Sequence, residues 1–149
     1  MTDAALPDAL VAIREDFLAL DVRDRLQLLL EFSNELPEVP ERFAARPELL
    51  EPVPECQAPI AFITEIETSD GEPRVHFHAS APPGAPTSRG FASILAQGLD
   101  GLTPDQVVAI PADYPLTLGL AEAVSPLRLR GMTALLTRAK RQVAERLAS

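Results

Sequence analysis

The sequence predicts an α+β fold: two N-terminal helices, a small antiparallel sheet built on one hairpin, and a helical C-terminal half. Two amphipathic segments come first, alternating strand patterns lie near the middle, and helix signals fill the remainder. Elements segregated in this order favour α+β, because a doubly wound sheet needs strands that alternate with helices. At 149 residues with 46% hydrophobic residues, we expect one domain over residues 1–149.

The first two helices are predicted from apolar residues spaced three and four positions apart. The first covers about residues 7–20 and opens at Pro7, and the second is capped by Asp21 and ends at Pro37. Because the link between them is short, we expect an antiparallel pair. The apolar faces comprise Leu10, Ile13, Phe17 and Leu20 in the first helix, and Val22, Leu26, Leu29, Leu30 and Leu36 in the second.

A connector over residues 37–59 precedes the predicted hairpin. It contains six prolines and several apolar residues, which indicates an ordered, proline-stiffened segment with a short edge strand near 50–54. Residues 60–67 place alternate apolar side chains on one strand face, residues 69–72 carry a turn signal, and residues 74–80 alternate again. These segments are expected to pair as the central hairpin.

The second half carries clear helix-start signals. A rigid loop over residues 81–86 leads into a helix at about 87–98, and Thr103 opens a capping box for a short helix that ends at Pro111. A further turn is expected at about 115–120. Ser125 and Pro126 then open the last helix. Its apolar stripe is predicted to contain Met132, Leu135, Leu136, Ala139, Val143 and Leu147.

Charge and composition exclude several function classes. The net charge of −9 argues against nucleic acid or an anionic membrane as the main partner. Residues 1–72 hold 17 acids and 5 bases, whereas residues 126–149 hold 6 bases and 1 acid. This asymmetry reflects either solvated surfaces or a polarised surface that steers a protein partner. No apolar run is long enough for a membrane span and the N-terminus lacks a signal-peptide pattern, so we expect a cytoplasmic protein.

Cys56 is the only cysteine, which excludes an intramolecular disulfide, a CxxC pair and a multi-cysteine metal site. A lone cysteine is often an inert buried residue. Here Pro54 and Pro59 bracket it in a loop-like context, so we expect a solvent-reachable, reactive thiol. Glu55 should raise the thiol pKa. A cation would therefore have to approach in space, and the candidates are Arg128, Arg130 and Arg89.

The two histidines of the predicted hairpin allow three interpretations. His76 and His78 should share one strand face, where they are solvated, form half of a metal site that lacks a third ligand, or pair with Cys56 in a hydrolase. The sequence has no glycine-rich phosphate loop, and we expect neither a bound metal nor a cofactor.

Gly90 and Gly131 lie inside predicted helices, where glycine costs up to about 1 kcal/mol relative to alanine. Both therefore predict close approach by another segment.

Four segments in order resemble the SufE family of sulfur acceptors. Glu55-Cys56-Gln57-Ala58 is similar to the family's Gly-Cys-Gln-Ser, and Arg89-Gly90-Phe91 to its Lys/Arg-Gly-hydrophobic signature. Residues 102–104 and 125–131 match its Leu-Thr-Pro and Ser-Pro-x-Arg-x-x-Gly segments, and the resemblance covers about residues 8–146. The chain departs from the pattern at Glu55 for Gly, Ala58 for Ser, and Pro83-Gly84 for Ser-Asp.

The resemblance implies a non-enzymatic sulfur carrier and activator. Cys56 would accept sulfane sulfur as a persulfide from a PLP-dependent cysteine desulfurase of the SufS type, for delivery to iron–sulfur cluster assembly and its scaffold. It also implies a fold shared with iron–sulfur scaffold proteins. The alternatives are a Cys/His hydrolase and a non-catalytic interaction module. The supporting or partner-binding residues would be Gln57, Arg89, Gly90, Arg128 and Gly131.

Overall fold

The computed structural model describes residues 6–69 and 71–148 of the chain. Within these residues the helices are long at the N-terminus, short in the connector, and longest at the C-terminus. In chain order they are α1 (Asp8–Leu18), α2 (Val22–Asn34), α3 (Glu41–Ala44), α4 (Pro86–Gly98), α5 (Pro104–Val108) and α6 (Pro126–Ala148).

The strands form a three-stranded antiparallel sheet in the order β1-β2-β3. Their bounds are β1 (Glu51–Pro52), β2 (Ala61–Glu67) and β3 (Arg74–Ser80). The predicted α+β class, the hairpin and the edge strand are therefore confirmed. Asp70, in the predicted hairpin turn, lies outside the described residues. Short 3-10 turns occupy Pro47–Leu49, Pro54–Cys56 and Tyr114–Leu118.

Strand alternation gives the sheet one core face and one outer face. Phe62 pairs with Ala79 and Thr64 with Phe77, so these side chains share the core face. The rings of Phe62 and Phe77 stack with centroids 5.6 Å apart. Residues one position along each strand point to the outer face, including both histidines.

The first two helices pack differently from the expected arrangement. Although Phe17 of α1 stacks on Phe32 of α2 at 6.0 Å, the main partner of α2 is α4. The close approach occurs at Gly90, where a Cβ atom would lie 2.5 Å from the backbone oxygen of Leu29. The expected α1–α2 pair is thus a minor contact, and the glycine in α4 permits the close approach of α4 to α2.

The C-terminal half confirms the predicted caps. Thr103 and Gln106 form the capping box of α5, and the Ser125 hydroxyl accepts a hydrogen bond from the amide of Arg128 at 3.2 Å. The predicted stripe of α6 is buried from Met132 to Val143. Leu147 is wrongly placed in that stripe, because its side chain is 48% exposed near the helix end.

Helix α6 covers the core face of the sheet and the turn that carries the cysteine. Gln142 of α6 accepts hydrogen bonds from the amide and the hydroxyl of Thr64 in β2, at 2.9 and 2.8 Å. Buried polar groups that are paired in this way fix the position of the helix over the strand. Over residues 6–69 and 71–148, no helix combines the length and apolar content that a membrane span needs.

Candidate functional site

The candidate site is a tight 3-10 turn, Pro54–Cys56, which we call the cysteine turn. Its amides bond backward, from Cys56 to the oxygen of Val53 and from Gln57 to that of Pro54, both at 3.1 Å. The turn ends at Gln57, which has φ 60° and ψ 20°. This left-handed conformation is uncommon for a residue other than glycine, and it reverses the chain direction immediately after the cysteine.

Cys56 points inward from this turn. The residue is only 4% exposed and belongs to the hydrophobic core, whereas the neighbouring Pro54, Gln57 and Pro59 are exposed. The thiol donates a hydrogen bond to the backbone oxygen of Gly131 in α6, with Sγ and O 3.6 Å apart. The expectation of a solvent-reachable thiol is therefore wrong for this conformation, because the turn aims the side chain at α6.

Gly131 makes the approach of the cysteine turn to α6 sterically feasible. A Cβ atom at this position would lie 3.0 Å from Cα of Cys56, 3.2 Å from the oxygen of Glu55 and 3.3 Å from Sγ. The prediction that Gly131 allows close approach by another segment is confirmed. That segment is the cysteine turn itself.

Burial strongly disfavours the thiolate of Cys56. It is the largest of the effects that raise the pKa of this thiol to about 11, and the negative charge of Glu55 acts in the same direction. Hydrogen bonding to the buried Ser88 and the positive charges of Arg138 and Arg128 act in the opposite direction and are outweighed. In this conformation the thiol is protonated at neutral pH and is a poor nucleophile.

An ion-pair cluster beside the cysteine turn was not identified from the sequence. Arg138 of α6 bonds both carboxylate oxygens of Glu55, at 3.1 and 3.0 Å, and reaches Glu51 at 2.7 Å. Glu51 is also bonded by Arg141 and Gln142. A signal did exist: Gly131, Arg138 and Gln142 are seven and four positions apart, so they lie along one face of a helix.

The arginines that were singled out from the sequence occupy different places. Arg128 is exposed in the first turn of α6, and its charge acts on Cys56. Arg130 is also exposed. Arg89 instead donates hydrogen bonds to the oxygen of Ser33 at 2.9 Å and that of Ala81 at 2.7 Å. It therefore ties the end of α2 to the loop before α4, and the contact of Gly90 is likewise with α2.

The hairpin histidines are paired with carboxylates on the outer face of the sheet. His76 contacts Asp100 at 2.7 Å and Glu67 at 2.8 Å, and His78 contacts Glu65 at 3.1 Å. Cys56 contacts α6, which covers the opposite face, so these contacts do not support a Cys/His nucleophile pair. Among the residues that the structure describes, no group of three or more His, Cys, Asp or Glu side chains is suited to hold a metal ion.

We expect the contribution of His76 to stability to be lost as the pH rises. Its two ring nitrogens both face carboxylate oxygens, and only the protonated ring can donate to both. The hydrogen bond to Asp100, followed by that to Glu67, raises the pKa of His76 above its ordinary value. The stabilisation should be complete below about pH 6.5, the unfolded-state pKa, and be lost as the pH rises through the folded-state pKa.

Urea unfolding of wild type and His76→Gln across this pH range measures the effect. The difference in the free energy of unfolding between the two proteins should shrink as the pH rises. A difference that is constant from acid to alkaline pH would contradict this prediction. NMR titration of the His76 ring should independently give a midpoint above that of a histidine in an unfolded peptide.

Sequence comparisons relate the chain to one family of known proteins. The family model described as SufE, Fe-S metabolism associated domain, matches residues 11–143. SufE-like proteins of two Mycobacterium tuberculosis strains, which are uncharacterised, are 49% identical over 142 residues, covering 95% of this chain and 96% of theirs. A SufE-like protein of Synechocystis is 29% identical over 134 residues, covering 88% of this chain and 77% of its own.

A solved structure has the same fold. The solution structure of a hypothetical protein from Thermus thermophilus superposes with a TM-score of 0.82. Its sequence is 35% identical, and the match covers 97% of this chain and 99% of that one. The family match supports a role in iron–sulfur metabolism. The chain belongs to the SufE family.

Proposed function

We propose that this protein accepts sulfane sulfur on Cys56 from a PLP-dependent cysteine desulfurase of the SufS type and passes it to iron–sulfur cluster assembly. In this role it is a carrier and an activator rather than an enzyme. Such a carrier suits the cytoplasm, where thiols are kept reduced. The residues proposed to support the exchange or the docking of the desulfurase are Gln57, Arg89, Gly90, Arg128 and Gly131.

One observation carries the proposal: the single cysteine of a SufE-family chain lies at the tip of a short turn with exposed neighbours. Pro54 before it and Gln57 after it are at the surface. A movement of a few residues would therefore bring the thiol into solvent or into a partner, without rearranging the sheet or α6. A cysteine in the middle of a strand or of α6 could not be exposed so locally.

The proposed transfer balances without an external oxidant. The thiolate of Cys56 attacks the terminal sulfur of the persulfide on the desulfurase, so that a new S–S bond forms at Sγ and the S–S bond of the donor breaks. The cysteine of the donor leaves as a thiolate and takes up the proton that Cys56 has lost. Since the buried thiol is protonated, the reactive form is the one in which the turn has opened.

A single cysteine also protects the transferred sulfur. A persulfide is attacked readily by a second nearby thiol, which releases the sulfur and leaves a disulfide. The chain contains no second thiol that could do so. Onward transfer therefore depends on the acceptor rather than on an internal competitor.

Intact-mass measurement tests the proposal directly. The protein is incubated with a SufS-type desulfurase and cysteine, and we expect a species heavier by one sulfur atom that a reducing agent returns to the original mass. Blocking Cys56 with iodoacetamide in mild denaturant, followed by refolding, should prevent the gain. The absence of any added sulfur in the presence of an active desulfurase would overturn the proposal.

A further inference from the structure

We propose that Glu55 and Arg138 are positioning residues for this transfer, because their ion pair holds the cysteine turn closed on α6. We call this pair the latch. The inference rests on the proposed function for its purpose, since a carrier needs its thiol to emerge. The contacts that keep the turn closed do not themselves depend on sulfur transfer.

The latch is placed where it can control the turn. Glu55 is the residue immediately before Cys56, so any outward movement of the cysteine carries this carboxylate along. Its two oxygens accept separate bonds from Nε and a terminal nitrogen of Arg138, at 3.1 and 3.0 Å. Such a two-point pair has a defined geometry, unlike the single contact that a lysine would make.

One side of the latch is anchored. Arg138 also bonds Glu51 at 2.7 Å, and Glu51 lies in β1, where it pairs with Phe62. Glu51 is held further by Arg141 and Gln142. When Glu55 leaves, Arg138 therefore keeps a carboxylate partner and its position, so that release moves the turn and not the helix.

Besides the latch, a hydrogen bond of Cys56 joins the cysteine turn to α6, and this bond is weak. The thiol of Cys56 donates to the oxygen of Gly131 over 3.6 Å, and S–H is a poor donor. Glu55 is 36% and Arg138 29% exposed, so water and salt can compete for the latch. The polar contacts that hold the turn on α6 are therefore ones that a charged group of a partner can replace.

The latch also links opening to the chemistry of the thiol. The charge of Glu55 raises the pKa of Cys56, while that of Arg138 lowers it. A cationic group of a partner that takes Glu55 from Arg138 would release the turn and end the burial of the thiol, which is the largest cause of its raised pKa. One ion-pair exchange would thus both expose and activate the sulfur.

The test measures opening without any desulfurase. Glu55→Gln removes the charge at nearly constant size, and Glu72→Gln is the matched control, because Glu72 forms an exposed ion pair with Arg74 in the hairpin that does not involve the latch. The rate of alkylation by iodoacetamide should rise about two- to fivefold in Glu55→Gln, as expected for a partly exposed pair. The control should react at the wild-type rate.

Two further readouts separate opening from a change in pKa. Hydrogen exchange at the amides of Cys56 and Gln57, which are bonded within the turn, should accelerate in Glu55→Gln while exchange in the middle of α6 is unchanged. Because the charge of Glu55 raises the pKa of Cys56, the midpoint of the pH profile should fall in Glu55→Gln, and the alkylation rate should rise by more than this fall accounts for. Added salt should accelerate alkylation of wild type but not of the variant.

Arg138→Gln is the reciprocal variant and should open the turn at least as much as Glu55→Gln. Unchanged alkylation in Glu55→Gln, an equal rise in Glu72→Gln, a rise that consists only of a shifted pH midpoint, or opening in one latch variant but not the other would overturn the latch. Sulfur loading by a desulfurase is measured separately. A failure of loading with an intact latch would therefore contradict the proposed function alone.

Discussion

Cys56→Ala is expected to accept no sulfur and to lose stimulation of the desulfurase completely. Sγ is the only thiol sulfur in the chain, so no other residue can form the acceptor S–S bond. The substitution removes one buried sulfur atom, which should lower the free energy of unfolding by only about 1 kcal/mol because the cavity is small. Loss of function should therefore occur in a folded protein.

The measurement combines intact mass after incubation with desulfurase and cysteine, the rate of alanine release, and thermal unfolding. Cys56→Ser is the matched control for packing, because its hydroxyl can donate to the oxygen of Gly131 as the thiol does. Both variants should unfold near the wild-type temperature and remain unloaded. Stimulation equal to wild type by a folded Cys56→Ala would mean that the chain acts by docking alone.

Gly90→Ala should give the largest loss of stability among the helical glycines, at about 1–3 kcal/mol. The added Cβ would lie 2.5 Å from the backbone oxygen of Leu29 and 2.9 Å from its Cδ1. A backbone oxygen cannot rotate away like a side-chain end, so α4 and α2 would have to separate. The gain in helix propensity of about 1 kcal/mol does not compensate for the lost packing of the two helices.

Urea unfolding monitored by circular dichroism measures this effect. Gly84→Ala is the control, because a Cβ at Gly84 would meet no atom within 4 Å. Its free energy of unfolding should stay within about 0.5 kcal/mol of wild type. If Gly90→Ala were as stable as Gly84→Ala, α2 and α4 would not be in the close contact described above.

The elements that were predicted well are those with local signals. Alternation along β2 and β3 and the cap residues Thr103 and Ser125 act through the chain neighbours of each residue, so the sequence alone contains the information. The packing of α2 against α4 rather than against α1 has no such local signal. It depends on shape complementarity at Gly90, and a glycine in a helix indicates that something approaches without saying what.

In the candidate site, too, some features follow from neighbouring residues and others depend on distant parts of the chain. The position of Cys56 in a turn and the unfavourable charge of Glu55 follow from adjacent residues. Its burial does not, because it results from the left-handed backbone at Gln57 together with the gap left by Gly131, 75 positions along the chain. The role of Arg138 is hard to predict for a related reason, since its bonds to Glu51 and Glu55 form only after α6 has packed on the sheet.

The gap at Gly131 is matched to an unmodified cysteine. Adding one sulfur atom lengthens the side chain by an S–S bond of about 2.0 Å, and the space in front of Sγ is bounded by the helix backbone. In a close-packed interior the longer side chain does not fit without displacement of the turn. If Cys56 accepts sulfur as proposed, the loaded and empty proteins should thus differ in the position of the cysteine turn, so that the cargo itself changes the surface of its carrier.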